Sequence, residues 1–376
     1  MNFKKFFKLI TLLQNSSTSY RELVEFVFKE TPPHDHNFLA RVDERVIQSI
    51  VLSKSSAHYS QASAAEVLFS VIVPTYNGER RIYDTLLSLA GQKGFSYEQY
   101  EIIVVDDGSS DATGVVVRDF LEKNSKIRMV YMCLRRNIGC SGARNVGIVQ
   151  SRGKLIAFTD DDCVVPENWL STFSGAFLEN PEIVGVGGWY RTDENKNESI
   201  YDWFLYKRIE RKIAYSRKDF SVGNYCGNTA NVCYRKKDLV SIGGFSPYFI
   251  YPSSEDWELK TRFLSHQMPL LFLPFYVRHV KRHTLRTFFT RYCVVRGWSY
   301  MLLSKLYPNF PRSFHVSMKN FVKMWISDLR MLWYGEIDAS LTYKEKLLFF
   351  GINSIYYTGI VMGKYLVPIE KILWDD

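Results

Sequence analysis

The chain has 376 residues, is 46% hydrophobic and carries a formal net charge of +9. That is enough apolar material for one large folded domain with appendages, and the positive balance points to an anionic partner such as nucleotide phosphates or a lipid surface. No nucleic-acid-binding signature accompanies the charge, which removes nucleic acid as the partner, and six cysteines without a CxxC pair read as reduced, buried thiols of a cytosolic protein.

The first fourteen residues, MNFKKFFKLITLLQ, set Phe3, Phe6, Phe7, Ile10 and Leu13 at helical spacing with lysines between them. The stretch is too short to span a bilayer and suits either an interfacial helix on anionic lipid or docking on the protein's own core. Ser19 and Glu22 form a capping-box pattern that predicts a second helix, ended by Pro32 and Pro33. His34, Asp35 and His36 follow in a loop with no further ligands nearby and read as surface. The polar residues 53–63 read as a linker, so residues 1–66 are expected to be a helical accessory segment.

From residue 68 the pattern alternates. Apolar runs at 69–73, 102–105, 127–133 and 155–158 predict strands, and 81–89, the stretch opened by Asp111, and 141–150 predict helices. This alternation implies βαβ units and a mostly parallel, Rossmann-like sheet in an α/β domain over residues 67–300. In such sheets ligands bind beyond the carboxyl ends of the strands. Three of those ends carry Pro74-Thr75-Tyr76-Asn77, Asp106-Asp107 and Asp160-Asp161-Asp162. Three adjacent carboxylates repel one another and need a compensating partner. In an extended chain Asp160 and Asp162 share one side, a pair able to hold one hard divalent cation through oxygen ligands. A solvated acidic turn is the plain alternative.

The motifs, in order, are SVIVPTYN at 70–77, VVDDGS at 104–109, NIGCSGARNVG at 137–147, TDDD at 159–162, GNTAN at 227–231, GGF at 243–245 and SEDWELKTR at 254–262, with His279 beyond. Together they resemble the family 2 glycosyltransferases of the GT-A fold, over roughly residues 69–300. The resemblance implies an inverting transfer from a nucleotide-diphosphate sugar, UDP-linked by preference. Asp160 and Asp162 would hold Mg²⁺ or Mn²⁺, with His279 near the metal or the diphosphate. Pro74, Tyr76 and Asn77 would line the base pocket, and Asp106 or Asp107 would contact the nucleoside. Arg144, Asp161, Asn228 and Glu255 complete the expected donor site, with Asn231 as a further sugar contact. Asp256 is the expected catalytic base, taking the proton of an acceptor hydroxyl. Arg262 reads as a structural partner or phosphate contact.

The stretch 201–215 is aromatic and basic at helical spacing and would cover the acceptor side of the cleft. After residue 300 the alternation ends. Residues 321–333 and 346–366 read as helices in a membrane-associated segment, 301–376. The apolar run at 347–363 suits a helix in or on the membrane, with a single span or a buried hairpin as alternatives. The expected setting is the cytoplasmic membrane face, in peripheral contact, with a glycan or lipid-linked acceptor. Two rivals stand beside this reading: a non-catalytic nucleotide-sugar-binding scaffold and a sugar nucleotidyltransferase. The first is opposed by the intact Asp160, Asp162 and Asp256, the second by the absence of a Gly-rich basic first loop.

Overall fold

A computed structural model describes residues 50–57, 66–192, 227–249, 254–280 and 284–289, with isolated positions between 39 and 360. The expected helices at 3–13 and 19–27, residues 34–36, residues 205–215 and the expected helices at 321–333 and 346–366 lie wholly or mostly outside the described residues. Two compact units partition the chain, residues 37–285 and residues 1–36 with 286–376. The larger unit holds the sheet and its helices.

Four strands make the parallel centre of that sheet: β2 (Phe69–Thr75), β3 (Tyr100–Asp106), β4 (Met129–Leu134) and β5 (Leu155–Phe158). They stand in the order β4-β3-β2-β5, each pair parallel. All seven residues of β3 are buried, as a strand covered on both faces requires. Helices α1 (Ile82–Ala90), α2 (Thr113–Lys123) and α3 (Cys140–Gln150) connect them. Alternate side chains go to opposite faces. Val71, Val73, Ile102 and Val104 pack with Leu86 of α1 and Phe120 of α2, while Ile72, Ile103 and Val105 pack with Ala143 and Val146 of α3. Helix α1 buries Ile82, Thr85, Leu86 and Leu89, the face its spacing predicts. On α2 the buried residues are Thr113, Val117, Phe120 and Leu121, while Val115 is 62% exposed.

Antiparallel strands extend both flanks. β8 (Val232–Arg235) pairs with β5 and with β7 (Gly185–Thr192); β9 (Leu270–His279) runs parallel to β7, and the two-residue β6 (Cys163–Val164) pairs with β9. Helix α4 (Trp169–Glu179) covers the first face through Trp169 and Phe173; α5 (Lys236–Ser241) and α6 (Glu255–Ser265) cover the second through Leu239, Leu259 and Phe263.

One expectation is corrected at the other edge. Residues 51–57, whose polar part from 53 onward suggests a linker, form strand β1 (Val51–Ala57), antiparallel to β4. Its composition is polar because an edge strand faces solvent: Leu52, Ser53 and Lys54 are exposed, and the ladder comes from the backbone, which no side-chain pattern advertises. Among the described residues no helix is long and apolar enough to cross a membrane.

Candidate active site

The sheet register sets the polar ends of β2, β3 and β5 on one rim. Thr75 lies opposite Asp106 in the parallel pair, and the backbone N–H of Asp107 donates to the Thr75 carbonyl at 2.8 Å. Beyond β2 the chain turns through Asn77 at φ 49°, a left-handed conformation uncommon for a side-chain-bearing residue. Two bonds hold it there. The Asn77 N–H donates to Ser109 Oγ at 2.8 Å, and Asn77 Oδ1 accepts the Ser110 N–H at 3.0 Å. Tyr76 is exposed and Pro74 half-buried at this rim.

Both acidic residues at the end of β3 are turned into the protein. Asp106 accepts from the Tyr131 hydroxyl at 2.7 Å and the Ser109 N–H at 2.8 Å. Burial, together with that bond, pushes the Tyr131 phenol above its ordinary range. Asp107 accepts the Ile138 and Gly139 N–H groups at 2.7 and 2.9 Å, which places its carboxylate at the opening of α3. Burial raises the Asp107 carboxyl to about 7; the two backbone bonds oppose the rise and the neighbouring Asp106 charge adds to it. Asp107 thus serves α3 and not α2, the helix that follows it directly in the chain.

Each residue of the acidic run after β5 has its own partners. Asp160 pairs with Arg144, Nη2 to Oδ1 at 2.9 Å, and its side chain is one-third exposed (33%). Asp161 is buried against Arg81 and Thr75, with burial first and Asp162 second holding its carboxyl above the ordinary value. Asp162 meets His279, Oδ1 to Nε2 at 3.3 Å. The antiparallel register of β6 with β9, Cys163 opposite His279, brings that histidine in from more than a hundred residues away. Asp162, Cys163 and His279 place one donor atom each within 4.8 Å of one another. A carboxylate oxygen and an imidazole nitrogen 3.3 Å apart can share one cation at ordinary bond lengths of about 2.1 Å, so the donor set fits a divalent ion.

Arg144 links this run to α6. Its side chain is 2% exposed, bonds Glu255 Oε1 at 3.0 Å and lies over the Phe245 ring. Burial raises the Glu255 carboxyl to about 7, with Arg144 opposing and Asp256 adding. Helix α6 starts abruptly: Ser254 takes φ 70° before Glu255 and Asp256. Asp256 Oδ2 accepts from Lys260 Nζ at 3.0 Å, and the same ammonium donates to the Gly227 carbonyl. Asn228 Oδ1, Ser254 Oγ and Arg144 Nε are buried without a hydrogen-bond partner, so polar capacity remains around this junction.

One expectation falls away. Asn231 is fully buried and committed to the fold: its Oδ1 accepts from the Trp169 indole and its Nδ2 donates to the Trp189 and Phe275 carbonyls, so it is no sugar contact. Arg262 forks onto Glu258 and bonds the Ile242 and Gly244 carbonyls, the structural partner that was one of its two readings. Arg81 and Lys260 are not among the site residues that the sequence motifs imply. Lys260 had a local signal, its four-residue offset from Asp256 on a predicted helix; Arg81 had none, because Asp161 lies 80 residues away.

Residues 70–237 match the family model described as glycosyl transferase family 2. Over 128 residues the chain is 31% identical to glycosyltransferase GlyG of Streptococcus pneumoniae, covering 34% of this chain and 41% of that protein. Over 112 residues it is 38% identical to poly(ribitol-phosphate) β-N-acetylglucosaminyltransferase TarS of Staphylococcus aureus, covering 30% of this chain and 19% of the other. The chain thus spans less than half the length of either relative. The mannosyltransferase PcManGT from Pyrobaculum calidifontis, solved with GDP-Man and Mn²⁺, has the same fold at a TM-score of 0.54 and 17% identity, covering 83% of this chain and 89% of that one.

Proposed function

Because residues 70–237 form a family 2 glycosyltransferase domain of the GT-A fold, we propose that the protein is an inverting, divalent-metal-dependent glycosyltransferase moving a sugar from a nucleotide-diphosphate donor, UDP-linked by preference, to an acceptor hydroxyl. The observation that carries the reading is the junction at the strand rim, where Arg144 bonds Asp160 of the acidic run and Glu255 of the base helix at 2.9 and 3.0 Å. One buried guanidinium therefore fixes the donor half of the cleft against the acceptor half.

Asp162 and His279 would hold Mg²⁺ or Mn²⁺; Asp160, the other expected ligand, lies outside their cluster and pairs with Arg144. When bound, such an ion supplies Lewis-acid stabilisation of the charge that grows on the departing nucleoside diphosphate. The remaining work belongs to side chains. Pro74, Tyr76 and Asn77 edge the base pocket, and Asp106 and Asp107 shape it from behind through the Ser109 and Ile138–Gly139 amides. Asp256 is the base. It takes the acceptor hydroxyl proton as that oxygen bonds the anomeric carbon, while the bond from that carbon to the diphosphate breaks and the electron pair leaves with the nucleotide. Asn228, whose buried Oδ1 has no hydrogen-bond partner, would accept from a sugar hydroxyl.

A surface polysaccharide, glycolipid or lipid-linked acceptor is supported by the net charge of +9 and by the likeness to TarS, named for a polyanionic acceptor. The same charge supports peripheral contact with the inner membrane face. The test is release of nucleoside diphosphate from a panel of UDP-, GDP- and dTDP-sugars, with Asp162→Ala and Asp256→Asn alongside. Metal-dependent release that Asp162→Ala abolishes, and that Asp256→Asn abolishes with donor binding intact, is the expected result. Failure of every donor to bind in the presence of Mn²⁺ would refute the transferase. Binding without turnover, even with candidate acceptors supplied, would leave the scaffold reading.

A further inference from the structure

Arg81 stands between the two halves of the donor site. Its Nε and Nη2 fork onto Asp161 Oδ1 and Oδ2 at 2.9 and 3.0 Å, and its Nη1 and Nη2 donate to the carbonyls of Asn77 and Tyr76, each at 3.0 Å. The second Asp161 oxygen also accepts from Thr75 Oγ1 at 2.6 Å. A bidentate guanidinium–carboxylate pair is planar and fixes orientation as well as distance, which a lysine would not do. The pair is three-quarters shielded on the arginine side and nine-tenths on the aspartate side, with side-chain exposures of 26% and 10%. Room for it exists because residue 78 is glycine: a Cβ there would stand 2.5 Å from Asp161 Oδ2.

Two consequences follow from this geometry. The carbonyls that Arg81 holds belong to the residues edging the base pocket, one of them in the strained left-handed conformation at Asn77. The carboxylate it holds is flanked in sequence by Asp160 and Asp162, so the fork joins the pocket loop to the cation-binding run. It also neutralises the middle charge of three without occupying the outer two.

We propose that Arg81, braced by Asp161, is a positioning residue that shapes the nucleoside pocket by fixing the Tyr76–Asn77 backbone, and so sets affinity for the nucleotide part of the donor. The inference rests on the donor-binding reading of this site. Arg81 touches no reacting atom; it acts through the main chain of its neighbours.

The experiment is titration calorimetry of the full chain with UDP and with GDP in the presence of Mn²⁺, and with Mn²⁺ alone, for wild type, Arg81→Met and Arg81→Lys. Loss of charged hydrogen bonds to two pocket carbonyls is expected to weaken the nucleotide that wild type binds by about 10- to 100-fold in Arg81→Met. Arg81→Lys, which keeps the charge without the fork, is expected to lose most of the same factor. Affinity for Mn²⁺ alone is expected to hold or rise, because the substitution leaves an extra uncompensated carboxylate beside the cation. Nucleotide affinity within twofold of wild type in both variants would overturn the proposal. So would parallel loss of Mn²⁺ and nucleotide, the mark of a general structural role. If Arg81→Met fails to fold, Arg81→Lys is judged by the same two criteria. Wild-type protein that binds Mn²⁺ but neither nucleotide overturns the donor reading, and this inference with it.

Discussion

Replacing Arg144 by methionine should make stability sharply pH-dependent. Arg144 is 2% exposed and lies between Glu255, 4% exposed at its side chain, and Asp160, which is 33% exposed. Methionine fills much of the same volume but removes both ion pairs. Asp160 can turn to water; Glu255 cannot. Leaving one buried charge without its partner costs about 3–5 kcal/mol. For a unit of this size that corresponds to roughly 10 °C in Tm. The sign with pH follows from Glu255. Burial already raises its carboxyl to about 7 while Arg144 opposes, so losing Arg144 raises it further. A carboxyl with a folded pKa above its unfolded value binds more protons when folded, so its contribution is fully present below the unfolded value of about 4.3 and is lost as pH rises through the folded one. The deficit of Arg144→Met should therefore be large at pH 8 and shrink by pH 5.5. The double variant Arg144→Met/Glu255→Gln should recover most of the loss at pH 8, because an amide carries no charge to desolvate. Urea unfolding at the two pH values measures both effects. An equal deficit at pH 5.5 and pH 8, or no recovery in the double variant, would show that Arg144 stabilises by packing and not by compensating Glu255.

Asp107 makes a second pH prediction with the same sign. Its carboxyl, at about 7 against an unfolded value of about 3.9, withdraws stability as pH rises across that interval, by at most about 1.4 kcal/mol per pH unit for one proton. Asp107→Asn should thus improve relative to wild type from pH 4 to pH 7 in the same unfolding assay; a constant difference across the window would contradict it. Arg262→Met should cost about 3–5 kcal/mol, since it strands Glu258, 1% exposed, and releases the Ile242 and Gly244 carbonyls. Amide exchange at residues 243–245 should accelerate before that of β2 does; uniform acceleration would argue against a local role.

The sheet was legible because its signals are local. Apolar runs of four or five residues ending in polar loops mark β2, β3 and β5, and the period of 3.6 marks the buried face of α1, since burial on two sides or one leaves a repeat a few residues long. The acidic run and the Glu255-Asp256 pair could be located for the same reason: they sit where strands end and a helix begins. Polar residues 53–57 carried no such repeat, because an edge strand is held by main-chain bonds that any sequence can make. On α2 several registers present an apolar stripe, and only the sheet decides that Val117 and Phe120 are buried and Val115 exposed.

What the sequence by itself determined is which carboxylates and bases stand at the rim. What only the tertiary structure decided is how they pair. Arg81 reaches Asp161 across 80 positions and Arg144 reaches Glu255 across 111; His279 meets Asp162 through a two-residue strand pairing. Asp106 and Asp107 turn inward to Tyr131 and to the amides before α3, and Asn231 is claimed by Trp169. Backbone preference and hydrophobic period act over a few residues, whereas a charge pairs with whatever the folded chain brings within about 3 Å of it.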